Sequence, residues 1–143
     1  MLDLVRALRG LPGVRLDVVG AALPSDRDPI ERELDDLLAD PDLAGRILRH
    51  GAVDKQRVRG CCAGADVICL PSYREGVPRS VIEGLAAARP AVVTDIRGCR
   101  ELVQDGLNGF PIPVGDVTAL RGSLAELATM DATRFGALSA AAR

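Results

Sequence analysis

The chain has 143 residues, 48% of them apolar and 27% charged, with a formal net charge of −2. That length buries one core of ordinary size, and the composition is that of a globular domain. The near balance of charge and an aromatic content of 2% exclude the basic, base-stacking surface of a nucleic-acid binder, and no apolar run reaches the length of a membrane span.

Met1 to Arg9 places Leu2, Val5 and Leu8 at helical spacing, and Gly10 with Pro12-Gly13 ends that helix. Val14 to Val19 reads as a strand closed by Gly20. One glycine in this turn is too few for the G-x-G-x-x-G dinucleotide fingerprint. Ala21 to Asp28 is a polar loop, with Asp26 or Asp28 as candidate cap for a helix opened by Pro29. The helix carries Ile30, Leu34, Leu37 and Leu38 on one stripe and stops at Asp40-Pro41. Arg46 to His50 reads as a short strand. Asp54 caps a helix running from Lys55 to about Gly64, weakened at its centre by Gly60.

The central stretch runs from Asp66 to Gly109. An apolar run, Val67 to Leu70, ends at Pro71-Ser72. The loop behind it carries Glu75-Gly76, and Pro78 opens a helix that contains Glu83. A second apolar run, Ala91 to Thr94, ends at Asp95, and Gly98 opens a turn before a helix around Arg100. Asp105 to Gly109 is a turn-rich link, and Phe110 to Pro113 is an edge strand, as its two prolines require. Asp116 caps a helix over Thr118 to Thr129, and Asp131 or Thr133 starts the last one. Strands alternating with helices predict a parallel α/β domain whose ligands bind where the strands end.

The helix opened by Pro78 presents the backbone N–H groups of Arg79, Ser80 and Val81 at its positive end, a site suited to a diphosphate. The other reading is an ordinary helix start with a solvated Arg79. Side chains lean toward a helix N-terminus, so the Glu83 carboxylate reaches back beside a bound diphosphate and accepts hydrogen bonds from hydroxyls. The bland alternative is an ion pair between Arg79 and Glu83. Gly76 lets a ligand approach the backbone closely. The four cysteines, Cys61, Cys62, Cys69 and Cys99, have no CxxC spacing and the one histidine is His50. No metal site is expected, and the cysteines read as buried, reduced thiols. His50 reads as structural or exposed.

Glu75 and Glu83 have seven residues between them, inside P-S-x-x-E-G-x-x-x-x-x-x-E-G, followed by D-G-x-N-G-F and P-x-G-D. From about Val14 to about Ala128 this ordered series resembles the C-terminal, donor-binding domain of GT-B glycosyltransferases in the large retaining family 4. The resemblance implies a Rossmann-like parallel sheet flanked by helices, one half of a GT-B architecture. It implies sugar recognition by Glu75, amide contacts from Gly76, Val77 and Arg79, and a ribose diol held by Glu83. It also puts the turn at Gly98 near the donor. For Arg97, Arg100 and Glu101 a structural role stands beside a functional one. Val77-Pro78 departs from the family's commoner Phe-Gly and removes one amide donor. The version E-G-[Leu/Val]-Pro-[Lys/Arg] resembles enzymes that build bacterial surface glycans on polyprenyl-diphosphate carriers.

The resemblance further implies no cofactor, no metal, and a nucleotide-sugar donor, with UDP-sugar favoured. The whole of 1–143 is expected to be one donor-binding domain. An acceptor domain and an Arg…Lys pair, which in the family precede the first helix, are expected to be absent, with a glycan or polyprenyl-linked acceptor met through that missing domain. The N-terminus lacks a signal peptide's apolar region, so the expected setting is the cytoplasm or the cytoplasmic face of a membrane. The competing expectation is a non-catalytic GT-B remnant that binds a nucleotide or a protein.

Overall fold

The computed structural model describes residues 1–20 and 29–143. The loop and caps expected between Ala21 and Asp28 lie outside the described residues. In chain order the elements are α1 (Leu2–Leu8), β1 (Leu16–Val19), α2 (Pro29–Leu38), β2 (Ile47–Gly51), α3 (Lys55–Gly64) and β3 (Ile68–Leu70). There follow α4 (Arg79–Ala86), β4 (Ala91–Thr94), α5 (Arg97–Arg100), β5 (Gly109–Ile112), α6 (Val117–Thr129) and α7 (Ala132–Ala141), with a 3₁₀ turn at Pro41–Leu43 between α2 and β2.

Helix starts follow local chemistry. Asp54, Asp116 and Asp131 each accept a hydrogen bond from the backbone three residues on, at Arg57, Ala119 and Arg134. Gly60 does not interrupt α3. Arginines close the C-terminal end of α1. Arg121 donates to the carbonyls of Arg6 and Ala7, and Arg46 donates to those of Leu8, Leu11 and Val14.

Among the described residues all strand pairs are parallel, but they form two sheets rather than one. β1 pairs with β2, and β3-β4-β5 form the other sheet with β4 in the middle. β4 is buried at every position, as a parallel strand covered on both faces must be. One apolar cluster joins Leu4 and Ala7 of α1 to Val92, Phe110, Ile112, Leu120, Leu124 and Leu127. Another joins Val5 and Leu8 of the same helix to Leu34, Leu37 and Leu43. Helix α1 therefore contributes to the cores of both sheets. A third cluster, with Val81 and Leu85 of α4 against Ala91 and Val93, fixes α4 on the sheet. Gly84 brings that contact to its closest: a Cβ there would fall 2.1 Å from Cγ1 of Ile68.

Candidate functional site

Polar groups converge beyond the carboxyl ends of β3 and β4, where a parallel sheet binds its ligands. The Thr94 side chain, 1% exposed, donates to the carbonyl of Ser72. The Ser72 hydroxyl in turn donates to Oε1 of Glu75 at 2.8 Å. A buried strand end thus orients a carboxylate that reaches the surface. The loop is pinned on two further sides. Tyr73 Oη donates to Oδ2 of Asp3 in α1 at 3.0 Å, and its ring tip stands over Gly115. On the other side the backbone of Gly98 lies against the carbonyl oxygens of Glu75 and Gly76. Between these supports Tyr73, Arg74, Glu75, Gly76, Ile96 and Arg97 line an open cleft of about 560 Å³.

The charges around the cleft differ in their ties. Arg100 is held to Asp95 at 2.7 Å, which lowers the Asp95 carboxyl below its ordinary range and raises Arg100. Among the described residues Arg74, Arg79 and Arg97 form no ion pair. The thiols behind the site are pushed up: Cys99 first by burial and then by the negative Glu75, and Cys62 first by burial and then by Glu83 and Cys61.

Glu75 and Gly76 lie in the cleft itself. Val77 is 72% exposed and outside the cleft lining, and Arg79 and Ser80 are exposed at the start of α4. The helix begins one residue later than expected, with Pro78 as N-cap and Arg79 as its first residue. Val81 departs from expectation. Its amide already donates to the Pro78 carbonyl at 3.0 Å and its side chain is wholly buried, so two amides, those of Arg79 and Ser80, remain at the helix end rather than three. Gly98 does not open a turn before the next helix; it lies inside α5, whose cap is Ile96.

Glu83 is half-buried and outside the cleft lining. Its negative charge is, after burial, a cause of the raised pKa of Cys62 in α3. The ion pair between Arg79 and Glu83 does not form. His50 contacts Oδ1 of Asp17 at 2.6 Å, across the β1–β2 pair. All four cysteines are free, Cys62 and Cys99 buried, Cys61 and Cys69 half-buried. Among the described residues no group of His, Cys, Asp and Glu is placed to hold a metal ion, and no helix is long and apolar enough to cross a membrane. Sequence reasoning passed over Tyr73, Arg74, Thr94 and Ile96, and gave Ser72 no role. Only the P-S step before the first glutamate hinted at Ser72.

The family described as "Glycosyl transferases group 1" matches residues 1–130. The chain belongs to the group 1 glycosyltransferases. It is 35% identical over 141 residues to a D-inositol 3-phosphate glycosyltransferase of Xylanimonas cellulosilytica, covering 98% of this chain and 33% of that protein. A putative glycosyltransferase of Bacillus subtilis, EpsD, is 48% identical over 63 residues, 44% of this chain and 16% of that one. The crystal structure of HepE from Anabaena in complex with UDP superimposes with a TM-score of 0.86 at 25% identity, over 98% of this chain and 38% of HepE. Sucrose-phosphate synthase from Thermosynechococcus elongatus gives 0.86 at 25% identity, over 99% of this chain and 35% of that chain. This group 1 glycosyltransferase chain therefore spans about a third, or less, of the length of these relatives.

Proposed function

We propose that the chain is the donor-binding domain of a retaining, metal-independent glycosyltransferase, and that it holds a nucleotide sugar, preferentially a UDP-sugar. The observation that carries this reading is the orientation of Glu75 by Ser72 in the loop that leads into α4. The Arg79 and Ser80 amides take the diphosphate, with the Arg79 guanidinium adding charge-assisted bonds. Glu83 accepts from the ribose hydroxyls, which a carboxylate tolerates where it would repel phosphate. Glu75 accepts from the sugar and steadies positive charge as it develops on the ring, while the helix end stabilises the departing diphosphate. The complete enzyme passes the sugar to a hydroxyl of a glycan or lipid-linked acceptor held by a further domain, on the cytoplasmic side. HepE structures hold UDP and UDP-glucose, which supports the choice of base.

Calorimetric titration with UDP, UDP-glucose and GDP tests the reading. Saturable binding of the uridine ligands, weaker for GDP, is expected. No binding of any of the three overturns it.

A further inference from the structure

Among the described residues the charged groups lining the cleft are Arg74, Glu75 and Arg97. Cations outnumber the anion there, in a chain whose formal net charge is −2, so the positive field is local to the cleft. The acids nearby in sequence are already engaged. Asp95 is held by Arg100 at 2.7 Å, and Glu75 accepts from the Ser72 hydroxyl at 2.8 Å. Among the described residues neither Arg74 nor Arg97 forms an ion pair, with Glu75 or with any other carboxylate. A cleft mostly of one sign of charge, walled by apolar groups such as Ile96 and the ring of Tyr73, concentrates ligands of the opposite sign.

Both arginine side chains start from fixed backbone. Arg97 is the first residue of α5, and the next residue, Gly98, is packed against the carbonyl oxygens of Glu75 and Gly76. Arg74 follows Tyr73, whose hydroxyl donates to Asp3. The donor-binding role already has a place for the diphosphate, at the amides of Arg79 and Ser80, and an acceptor for sugar hydroxyls, Glu75. It leaves Arg74 and Arg97 without a partner. A neutral hexose offers a guanidinium only hydroxyl lone pairs. A uronic acid keeps ring hydroxyls for Glu75 and carries, in place of the exocyclic hydroxymethyl, a planar carboxylate that matches the guanidinium fork.

Resting on that donor-binding role, we propose that the cleft selects an acidic sugar: the donor is a nucleotide-activated uronic acid whose carboxylate pairs with Arg74 and Arg97. Glu75 sharpens the choice. It repels a carboxylate brought against it, so the acid group is accepted on the arginine side and the hydroxyls on the other.

Calorimetric titration with UDP, UDP-glucose and UDP-glucuronate tests this, because the two sugars differ only in hydroxymethyl against carboxylate. Wild type is expected to bind UDP-glucuronate more tightly than UDP-glucose by about fivefold, the upper scale of an exposed charge pair, and the margin should shrink as salt is raised. Arg74→Gln and Arg97→Gln should each reduce the margin. The double variant should reverse it, since Glu75 then repels the carboxylate unopposed. Both side chains are exposed, so melting temperature and UDP affinity should match wild type in all three variants. Equal affinity of wild type for the two sugars overturns the proposal, as does a margin that survives in the double variant. A fall in UDP affinity equal to that for UDP-glucuronate also overturns it, because the arginines would then serve the diphosphate. If wild type does not bind UDP, the donor-binding role fails and the acidic sugar with it; UDP binding without a preference between the sugars removes the acidic sugar alone.

Discussion

Gly98 and Gly76 are in backbone contact: a Cβ on Gly98 would fall 2.1 Å from the Gly76 carbonyl oxygen and 2.8 Å from that of Glu75. The loop carrying the proposed sugar-facing carboxylate therefore rests directly on α5. Gly98→Ala must displace that loop or the helix. Overpacking of this kind costs about 1–3 kcal/mol. Melting curves should show the loss, and UDP-glucose affinity should fall further than UDP affinity because the displaced element carries Glu75. Unchanged melting and unchanged binding refute the contact.

Ser72 and Glu75 should behave as a unit. Glu75→Gln is expected to leave UDP affinity nearly unchanged while reducing discrimination for UDP-glucose. Ser72→Ala, which removes the donor 2.8 Å from the carboxylate, should give a partial version worth about 1 kcal/mol. The double variant should be less than additive, because both changes remove one interaction. Parallel loss of UDP and UDP-glucose in Glu75→Gln would instead mean that the residue braces its loop.

Glu83→Ala should weaken UDP itself by about 1–3 kcal/mol, the scale of leaving a hydroxyl pair without its acceptor. The same change should make the Cys62 thiol more acidic, since Glu83 is the largest cause after burial of its raised pKa. Thiol labelling followed against pH reads the second effect without any ligand. Equal UDP affinity in wild type and Glu83→Ala removes Glu83 from the site.

Burial pushes the Cys69 thiol up to about 12 from an ordinary value of 9.0. Above pH 9 the unfolded chain releases this proton and the folded chain keeps it, so stability falls as pH rises from about 9 to about 12. Below 9 both states hold the proton and the contribution is constant. Cys69→Val has no proton to lose, so its stability in denaturant should fall less steeply over that window. Identical slopes for the two proteins contradict the shift.

Tyr73→Phe removes the hydroxyl that donates to Asp3, a buried acidic residue. Asp3 then keeps a longer contact, 3.4 Å to Arg6. A lower melting temperature and faster proteolysis of the 72–78 loop are expected. Limited proteolysis identical to wild type would show that the bond does not hold the loop.

What the sequence disclosed was local. Caps at Asp54, Asp116 and Asp131, the apolar runs of β3 and β4, and the prolines of β5 all act through neighbours in the chain, and all formed within a residue or two of expectation. The paired glutamates were legible as a motif. The supports of the site were not, because they join distant residues: Tyr73 meets Asp3 across 70 positions and Thr94 meets Ser72 across 22. The bent-back amide of Val81 was hidden for a different reason. A proline N-cap shifts the helix start by one residue, and no residue type marks which amide then turns inward. Pairing between strands is likewise non-local, so the separation into two sheets carried no local sign.

The chain contains one tyrosine and no tryptophan, and that tyrosine is Tyr73, in the wall of the cleft. Its near-ultraviolet emission therefore comes almost wholly from the mouth of the proposed site. A ligand entering there would meet the fluorophore itself, and any movement that parted the phenol from Asp3 would free it from a quenching carboxylate. The domain is in effect labelled at its own entrance. Occupancy and loop opening are readable as intensity and lifetime on the unmodified protein, without a dye and without any other side chain contributing a comparable signal.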